Sequence, residues 1–285
     1  MSTNLITVKN LTKKFKNKII FENVNFSILM RQKIGIVGAN GAGKTTLIKI
    51  LANLLPFESG TINFNNEKYL FDEIRKDIFV FLDKTETNLQ QKFTLFENIS
   101  FFSKLYKFDK FVAIKLAEDF GLQDSLYVNY EKLSAGTQLK AIILIGLMKE
   151  PKLLILDEPF NGIDPIMLPE ISSTLSRSSQ AMLISSHILS PLYDICDAFI
   201  FIKNTVLTYK TKQDIEAENR TAIIKFKGVL KNLSDSITAN IIDQSTFSIN
   251  YENYNHFIKQ VNAILISNEI TISDIQFQNS ILNYI

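Results

Sequence analysis

The chain has 285 residues, enough for one large domain or for a main domain with a smaller appendage, and either would bury a proper core. Lys and Arg total 31 against 29 for Asp and Glu, so the net charge of +2 offers no broad basic field for nucleic acid, and the single cysteine excludes a disulfide framework or a thiolate metal cluster. The opening MSTNLITVKN has no basic segment followed by an apolar core, and no stretch reaches the roughly eighteen apolar residues of a spanning helix. A soluble chain in a reducing cytosol is expected, with Cys196 as a small buried apolar residue.

In chain order, residues 5–8, 24–29 and 34–37 are apolar, β-rich runs, and the lysines at 13, 14, 16 and 18 between the first two read as a solvated hairpin. Such continuous apolar strands, repeated at 153–156 and 182–184, indicate a sheet covered on both faces and hence an α/β core. Residues 38–44 read GANGAGK and are followed by Thr45 and Thr46. This matches G-x-x-x-x-G-K-S/T, a loop whose backbone N–H groups cradle phosphates while the lysine reaches the β/γ-phosphates and a hydroxyl binds Mg²⁺. Leu47, Ile48 and Leu51 behind it have helical spacing, which puts the phosphates on a helix N-terminus. The chain is therefore expected to bind a nucleoside triphosphate.

Residues 93–146 read as a helical insertion. Phe93, Phe96, Phe101, Phe102, Phe108 and Phe111 are dense within it and are expected to be core, with some left for an apolar docking face. Near its end, LSAGT at 133–137 precedes an apolar helix, and Ser134 as N-cap with Gly136 makes a second anion site. The strand at 153–156 then ends in Asp157 and Glu158: the first is placed to hold Mg²⁺, the second to orient or deprotonate a water attacking the γ-phosphate. Beyond about residue 210 the composition shifts. Ile224 and Phe226, then Phe247, Ile249 and Tyr251, alternate as in strands; Phe257, Val261, Ile264 and Leu265 share a helical face, and another strand comes near 270–272, as in a small α+β appendage.

Taken together these segments resemble the ATP-binding cassette (ABC) ATPase family over about residues 5 to 210. The phosphate loop comes first; the family's LSGGQ signature appears as LSAGT; the apolar strand ends in Asp157-Glu158-Pro159; Gly162-Ile163-Asp164-Pro165 resembles the D-loop, and His187 after Ser185-Ser186 the switch histidine. The resemblance implies a P-loop core with an antiparallel β subdomain and a helical subdomain at about 85–148, making an ATPase domain over 1–212 and an accessory α+β domain over 213–285. It implies ATP with Mg²⁺ on Gly38, Asn40, Gly41, Gly43, Lys44, Thr45 and Thr46, with Phe15 under the adenine and the metal on Thr45 and Asp157. Glu158 and His187 would be catalytic. Ser134 and Gly136 would cover the ATP of a second cassette, in a homo- or heterodimer, with Asp164 communicating across it.

In the signature, Ala135 and Thr137 replace a glycine and a glutamine. The Q-loop glutamine is missing, and Asp83 or Lys84 takes its place, depending on a one-residue shift in alignment. The segment at 94–108 and the C-terminal appendage, with its terminal Ser280-Ile281-Leu282, resemble bacterial drug and peptide exporter ATPases. An ATPase that powers export through a separate transmembrane permease, peripheral on the inner face of the cell membrane and without nucleic acid, is therefore expected. The alternative is a soluble cassette acting on ribosomes or DNA. Missing second cassettes, coiled coils and zinc sites disfavour it, and intact Glu158 and His187 disfavour a regulatory module without turnover.

Overall fold

The computed structural model describes residues 3–65, 67–68, 76–82, 89–187, 189–217, 220–229, 239–251, 254–267 and 269–278. They divide into two compact units, Met1–Tyr209 and Lys210–Ile285.

The first unit begins with the hairpin of β1 (Asn4–Phe15) and β2 (Lys18–Leu29), and β3 (Lys33–Gly38) then runs into the loop before α1 (Lys44–Leu51). After β4 (Ser59–Phe64), β5 (Glu67–Lys68) and β6 (Ile78–Phe81) come three helices, α2 (Leu95–Tyr106), α3 (Lys110–Asp119) and α4 (Ala135–Met148). The chain continues with β7 (Leu153–Leu156), α5 (Leu168–Arg177), β8 (Ala181–Ser186), α6 (Leu189–Ile195), β9 (Ala198–Lys203) and β10 (Val206–Thr211).

Two sheets result. One is antiparallel, in the order β2-β1-β4-β5; the other has six strands, β10-β9-β3-β8-β7-β6, of which β9, β3, β8, β7 and β6 run parallel. The apolar runs at 5–8 and 24–29 thus belong to the antiparallel sheet and not to the doubly covered one. Their burial pattern gives the reason: along β2, Phe21, Val24, Phe26 and Ile28 are buried while Glu22, Asn23 and Asn25 are exposed, as a sheet with one wet face requires. By contrast β3, β7 and β8 are buried at every position. One member of the lysine run departs from a solvated hairpin: Lys13 is only 4% exposed and pairs with Glu58 at 3.0 Å, while Lys16 and Lys18 are exposed and Lys14 half-buried.

The helical stretch starts with a capping box: Thr94 accepts from Glu97 N–H while the Glu97 carboxylate accepts from Thr94 N–H. Asn98, fully buried, anchors the preceding turn by accepting from Gln90 N–H at 2.8 Å and donating to Gln90 O at 3.0 Å. Of the six phenylalanines expected in the core only Phe102 is buried; Phe93, Phe101 and Phe111 are exposed, and Phe96 and Phe108 half-buried. Helix spacing explains the split, since α2 turns Phe102 inward with Leu95 and Ile99, and the adjacent Phe101 must then face out. No helix among the described residues is long and apolar enough to cross a membrane.

The second unit comprises α7 (Lys212–Ala217), β11 (Arg220–Val229), β12 (Ala239–Asp243), β13 (Thr246–Tyr251), α8 (Tyr254–Ser267) and β14 (Glu269–Gln278), its strands forming one antiparallel sheet ordered β12-β13-β11-β14. Its core joins Ile224, Phe226, Phe247 and Ile249 of the sheet to Val261 and Ile264 of α8. Leu265, expected on that helical face, is exposed instead.

Candidate active site

Parallel pairing places the chemistry. In the order β3-β8-β7, Val37 lies opposite Ser186 and Leu156 opposite Ile184, so the residues just past the ends of these strands gather at one edge of the sheet. The phosphate loop leaves β3 there, Asp157 and Glu158 leave β7, and His187 leaves β8.

The loop is built by close approach. A Cβ on Gly38 would lie 2.8 Å from the carbonyl oxygen of Ile202, and one on Gly43, at φ +110°, would lie 2.7 Å from Ile20 Cγ2. The second contact brings the β1–β2 hairpin against the loop. Asn40 and Gly41 are exposed on its outer turn, and Thr46 is half-buried. Lys44 curls back so that Nζ donates to Gly38 O at 2.7 Å and lies 3.0 Å from Glu158 Oε1. Among the described residues no side chain caps the N-terminus of α1, whose N-cap is Gly43. The first N–H groups of that helix are thereby left for an anion.

Two carboxylates are treated differently by their neighbours. Asp157 is buried, accepts from Thr45 Oγ1–H at 2.7 Å through Oδ2, and accepts from Ser185 Oγ–H through Oδ1. Burial pushes its carboxyl above the usual range, and the Ser185 and Thr45 donors offset only part of that. For Glu158 burial pushes upward as well, but Lys44 and His187 outweigh it and hold the group below its ordinary value. His187 reaches Glu158 Oε2 with Nδ1 at 2.9 Å, and Glu158 N–H donates to Ser185 Oγ at 2.8 Å. Glu158 has a φ of +46°, a left-handed conformation that costs a residue with a side chain of order 1–3 kcal/mol and is concentrated at functional sites. Its ion pair with Lys44 is largely buried at 6% and 19% side-chain exposure, where losing one partner costs about 3–5 kcal/mol; the surface pair Lys14–Glu22, 3.9 Å apart, belongs to the class worth about 0–1 kcal/mol. In the sequence Ser185 stands out only as a neighbour of the histidine. The structure makes it the link between both acids.

Ser134 and Gly136 lie apart from this cluster at the start of α4. Ser134 caps its own helix, accepting from Thr137 N–H at 3.2 Å, and its hydroxyl lies 2.8 Å from the Thr137 hydroxyl. Gly136 is buried because Met167 covers it: a Cβ there would be 2.4 Å from Met167 Sδ. Met167 ends a 3₁₀ turn capped by Asp164, which accepts from Ile166 N–H at 2.9 Å. The turn after β7 is thus packed on the signature helix of the same chain, a contact for which the sequence carries no signal. Phe15, at the tip of the β1–β2 hairpin, is 45% exposed. Asp83 and Lys84 lie outside the described residues. No group of three or more His, Cys, Asp or Glu that could hold a metal occurs among the described residues, so a cation here would rely on Thr45, Asp157 and oxygens from a ligand.

The ABC transporter family matches over residues 21–161. Among curated proteins, the lantibiotic transport ATP-binding protein SrtF of Streptococcus pyogenes is 31% identical over 201 residues, covering 70% of this chain and 86% of its own length. The ABC-type transporter ATP-binding protein EcsA of Bacillus subtilis (strain 168) is 29% identical over 209 residues, 70% of this chain and 84% of its own. Among solved structures, cbiO1 from Clostridium perfringens, part of the ABC transporter complex cbiONQ, superimposes with a TM-score of 0.68 at 22% identity, over 76% of this chain and 92% of its own, a likeness of fold. With the phosphate loop, the Asp157–Glu158 pair and His187 gathered at one sheet edge, the chain belongs to the ABC transporter family as an ATP-binding, ATP-hydrolysing subunit.

Proposed function

We propose that this subunit powers export through a separate transmembrane permease, working as one of two cassettes that close head to tail around ATP. The observation that carries the catalytic part is Glu158, held between Lys44 at 3.0 Å and His187 at 2.9 Å beside the Asp157–Thr45 pair. A carboxylate kept ionised there can accept a proton from water, while Lys44, already turned toward negative charge, can bind the γ-phosphate. His187 orients Glu158 through Nδ1 and keeps its other ring nitrogen for the phosphate.

The family binds ATP, generally with Mg²⁺, and Thr45 and Asp157 fit that ion. They are hard oxygen donors 2.7 Å apart, and burial leaves the Asp157 charge undercompensated. Bound there, Mg²⁺ would neutralise phosphate charge. On the partner side, Ser134 and Gly136 of a second cassette, identical or related, would meet the nucleotide from across the dimer. Asp164 would lie at that junction, and Asp83 or Lys84 would serve the coupling to the permease. ABC ATP-binding subunits work with a transmembrane component. That component would hold the subunit at the inner membrane face, and residues 213–285 would act as an accessory domain. SrtF, a lantibiotic transport protein, supports the exporter branch over a ribosome- or DNA-directed cassette.

The test is Glu158→Gln, which keeps size and hydrogen bonding but removes the proton acceptor. Equilibrium binding of MgATP should persist while steady-state turnover falls by at least about 10²-fold. Turnover near that of the wild type would end the assignment of Glu158.

A further inference from the structure

The tip of the β1–β2 hairpin holds a buried cation that the phosphate chemistry does not use. Lys13 is 4% exposed in a hairpin whose other lysines face solvent, and desolvating an ammonium is costly unless it is paired. Its Nζ donates to Glu58 Oε1 at 3.0 Å and lies 4.8 Å from the centroid of the Phe15 ring. Glu58 is itself tied to the same strand twice: Oε2 accepts from Lys14 N–H at 2.7 Å, and its own N–H donates to Thr12 O at 3.1 Å. The carboxylate thus fixes the ammonium, and the ammonium lies over the Phe15 ring, which keeps nearly half its surface exposed. The same hairpin touches the phosphate loop where Ile20 meets Gly43.

We propose that Lys13 and Glu58 are positioning residues for the nucleobase: they clamp the Phe15 ring from one side so that its open side is presented, already oriented, to the adenine of ATP. The inference rests on the reading of Phe15 as the ring beneath adenine. Its physical basis is twofold. Restricting the ring before binding removes part of the ordering cost of the stack. A cation near the ring also draws on its electron density, which favours contact of the opposite side with an electron-rich purine. Lys13 contacts no phosphate in this scheme, so its influence must appear only for ligands that carry a base.

The full-length chain is titrated with MgATP and, separately, with inorganic tripolyphosphate in the presence of Mg²⁺. Lys13→Met, which keeps the aliphatic stem, should weaken MgATP about threefold to tenfold and leave tripolyphosphate unchanged; Lys13→Arg should restore the ATP value. Glu58→Gln should act in the same direction as Lys13→Met; Lys13→Met strands only the Glu58 carboxylate, 43% exposed in its side chain, whereas Glu58→Gln leaves the buried Lys13 ammonium with an amide oxygen in place of its counter-charge, so Lys13→Met is the cleaner of the two. Phe15→Ala provides the reference. If Phe15→Ala weakens ATP selectively while Lys13→Met and Glu58→Gln do not, the clamp is wrong and the adenine reading stands. If Phe15→Ala leaves ATP and tripolyphosphate equally affected or unaffected, the adenine reading falls and the clamp with it. Equal weakening of both ligands by Lys13→Met would mean a general disturbance of the loop, and would also overturn the proposal.

Discussion

The two helix N-termini proposed to meet ATP are built in opposite ways. At α1 no side chain among the described residues caps the helix, the loop glycines are pressed against backbone and hairpin, and Lys44, Asp157, Glu158 and His187 are engaged in a dense network. At α4 the N-cap is filled by Ser134, the hydroxyl of Thr137 lies on that of Ser134, and Gly136 rests under the flexible thioether of Met167. The first end has its ligand groups left open by a rigid frame. The second is satisfied within the chain and adjustable. Such a difference is what a divided site needs: one half that binds alone and another that adds contacts only when a second copy closes over it.

The largest expected effect lies in the rigid half. Lys44→Ala removes both the phosphate ligand and the counter-charge of Glu158, and should weaken MgATP binding by about 10²-fold or more in an equilibrium titration. A loss below about threefold would place the triphosphate elsewhere. Ser185→Ala should come next, with turnover down roughly tenfold and ATP binding nearly intact, because the hydroxyl holds Asp157 and the Glu158 backbone but touches no phosphate. Binding and turnover falling together would instead make Ser185 a folding residue.

One substitution made in both halves distinguishes rigid from adjustable directly. Gly38→Ala drives a methyl against the Ile202 carbonyl, which is backbone and cannot yield, so chemical unfolding should show a loss on the order of 2–3 kcal/mol. Gly136→Ala meets only the end of Met167, and should cost less than about 1 kcal/mol, recovered by adding Met167→Ala. Equal losses would contradict the contrast.

The smallest effect is at the hairpin tip, where Lys13 first and then Lys14 N–H hold the Glu58 carboxyl below its ordinary range. A carboxyl depressed in the folded state contributes stability that is present above its unfolded value and lost as pH falls through the folded one. Wild type should therefore exceed Glu58→Gln in melting temperature at neutral pH, and the gap should close as pH falls below the usual carboxylate range. A gap that widens on acidification would reverse the sign of this coupling.

The rigid half is legible in the sequence because its parts are contiguous: the GANGAGKTT loop and the LLILDE strand end carry their own geometry. The parallel order that joins Leu156, Ser186 and Gly38 at one edge is implied by strands at 153–156 and 182–184, and the AFIFI run of β9 carries the same signal, whereas β4 and β10 carry no comparably clear pattern. Contacts between distant segments leave no trace. Glu58 is 45 positions from Lys13, so the buried lysine reads as one of a solvated run. Met167 on Gly136 is equally invisible, since neither residue has a charge or a spacing that announces the other. The phenylalanines show a different failure: their density is apparent, but with adjacent positions on α2 such as Phe101 and Phe102 only one can face inward.

The divided site is tested most directly by mixing two full-length variants that each break a different half, Lys44→Ala and Ser134→Arg. Each alone should have no measurable steady-state ATPase. In a mixed pair, Lys44 of the Ser134→Arg copy faces Ser134 of the Lys44→Ala copy, so one complete site is rebuilt and ATPase should return on mixing. Activity that stays absent at every ratio, while wild-type chain measured alongside hydrolyses ATP, would contradict a site shared between two cassettes.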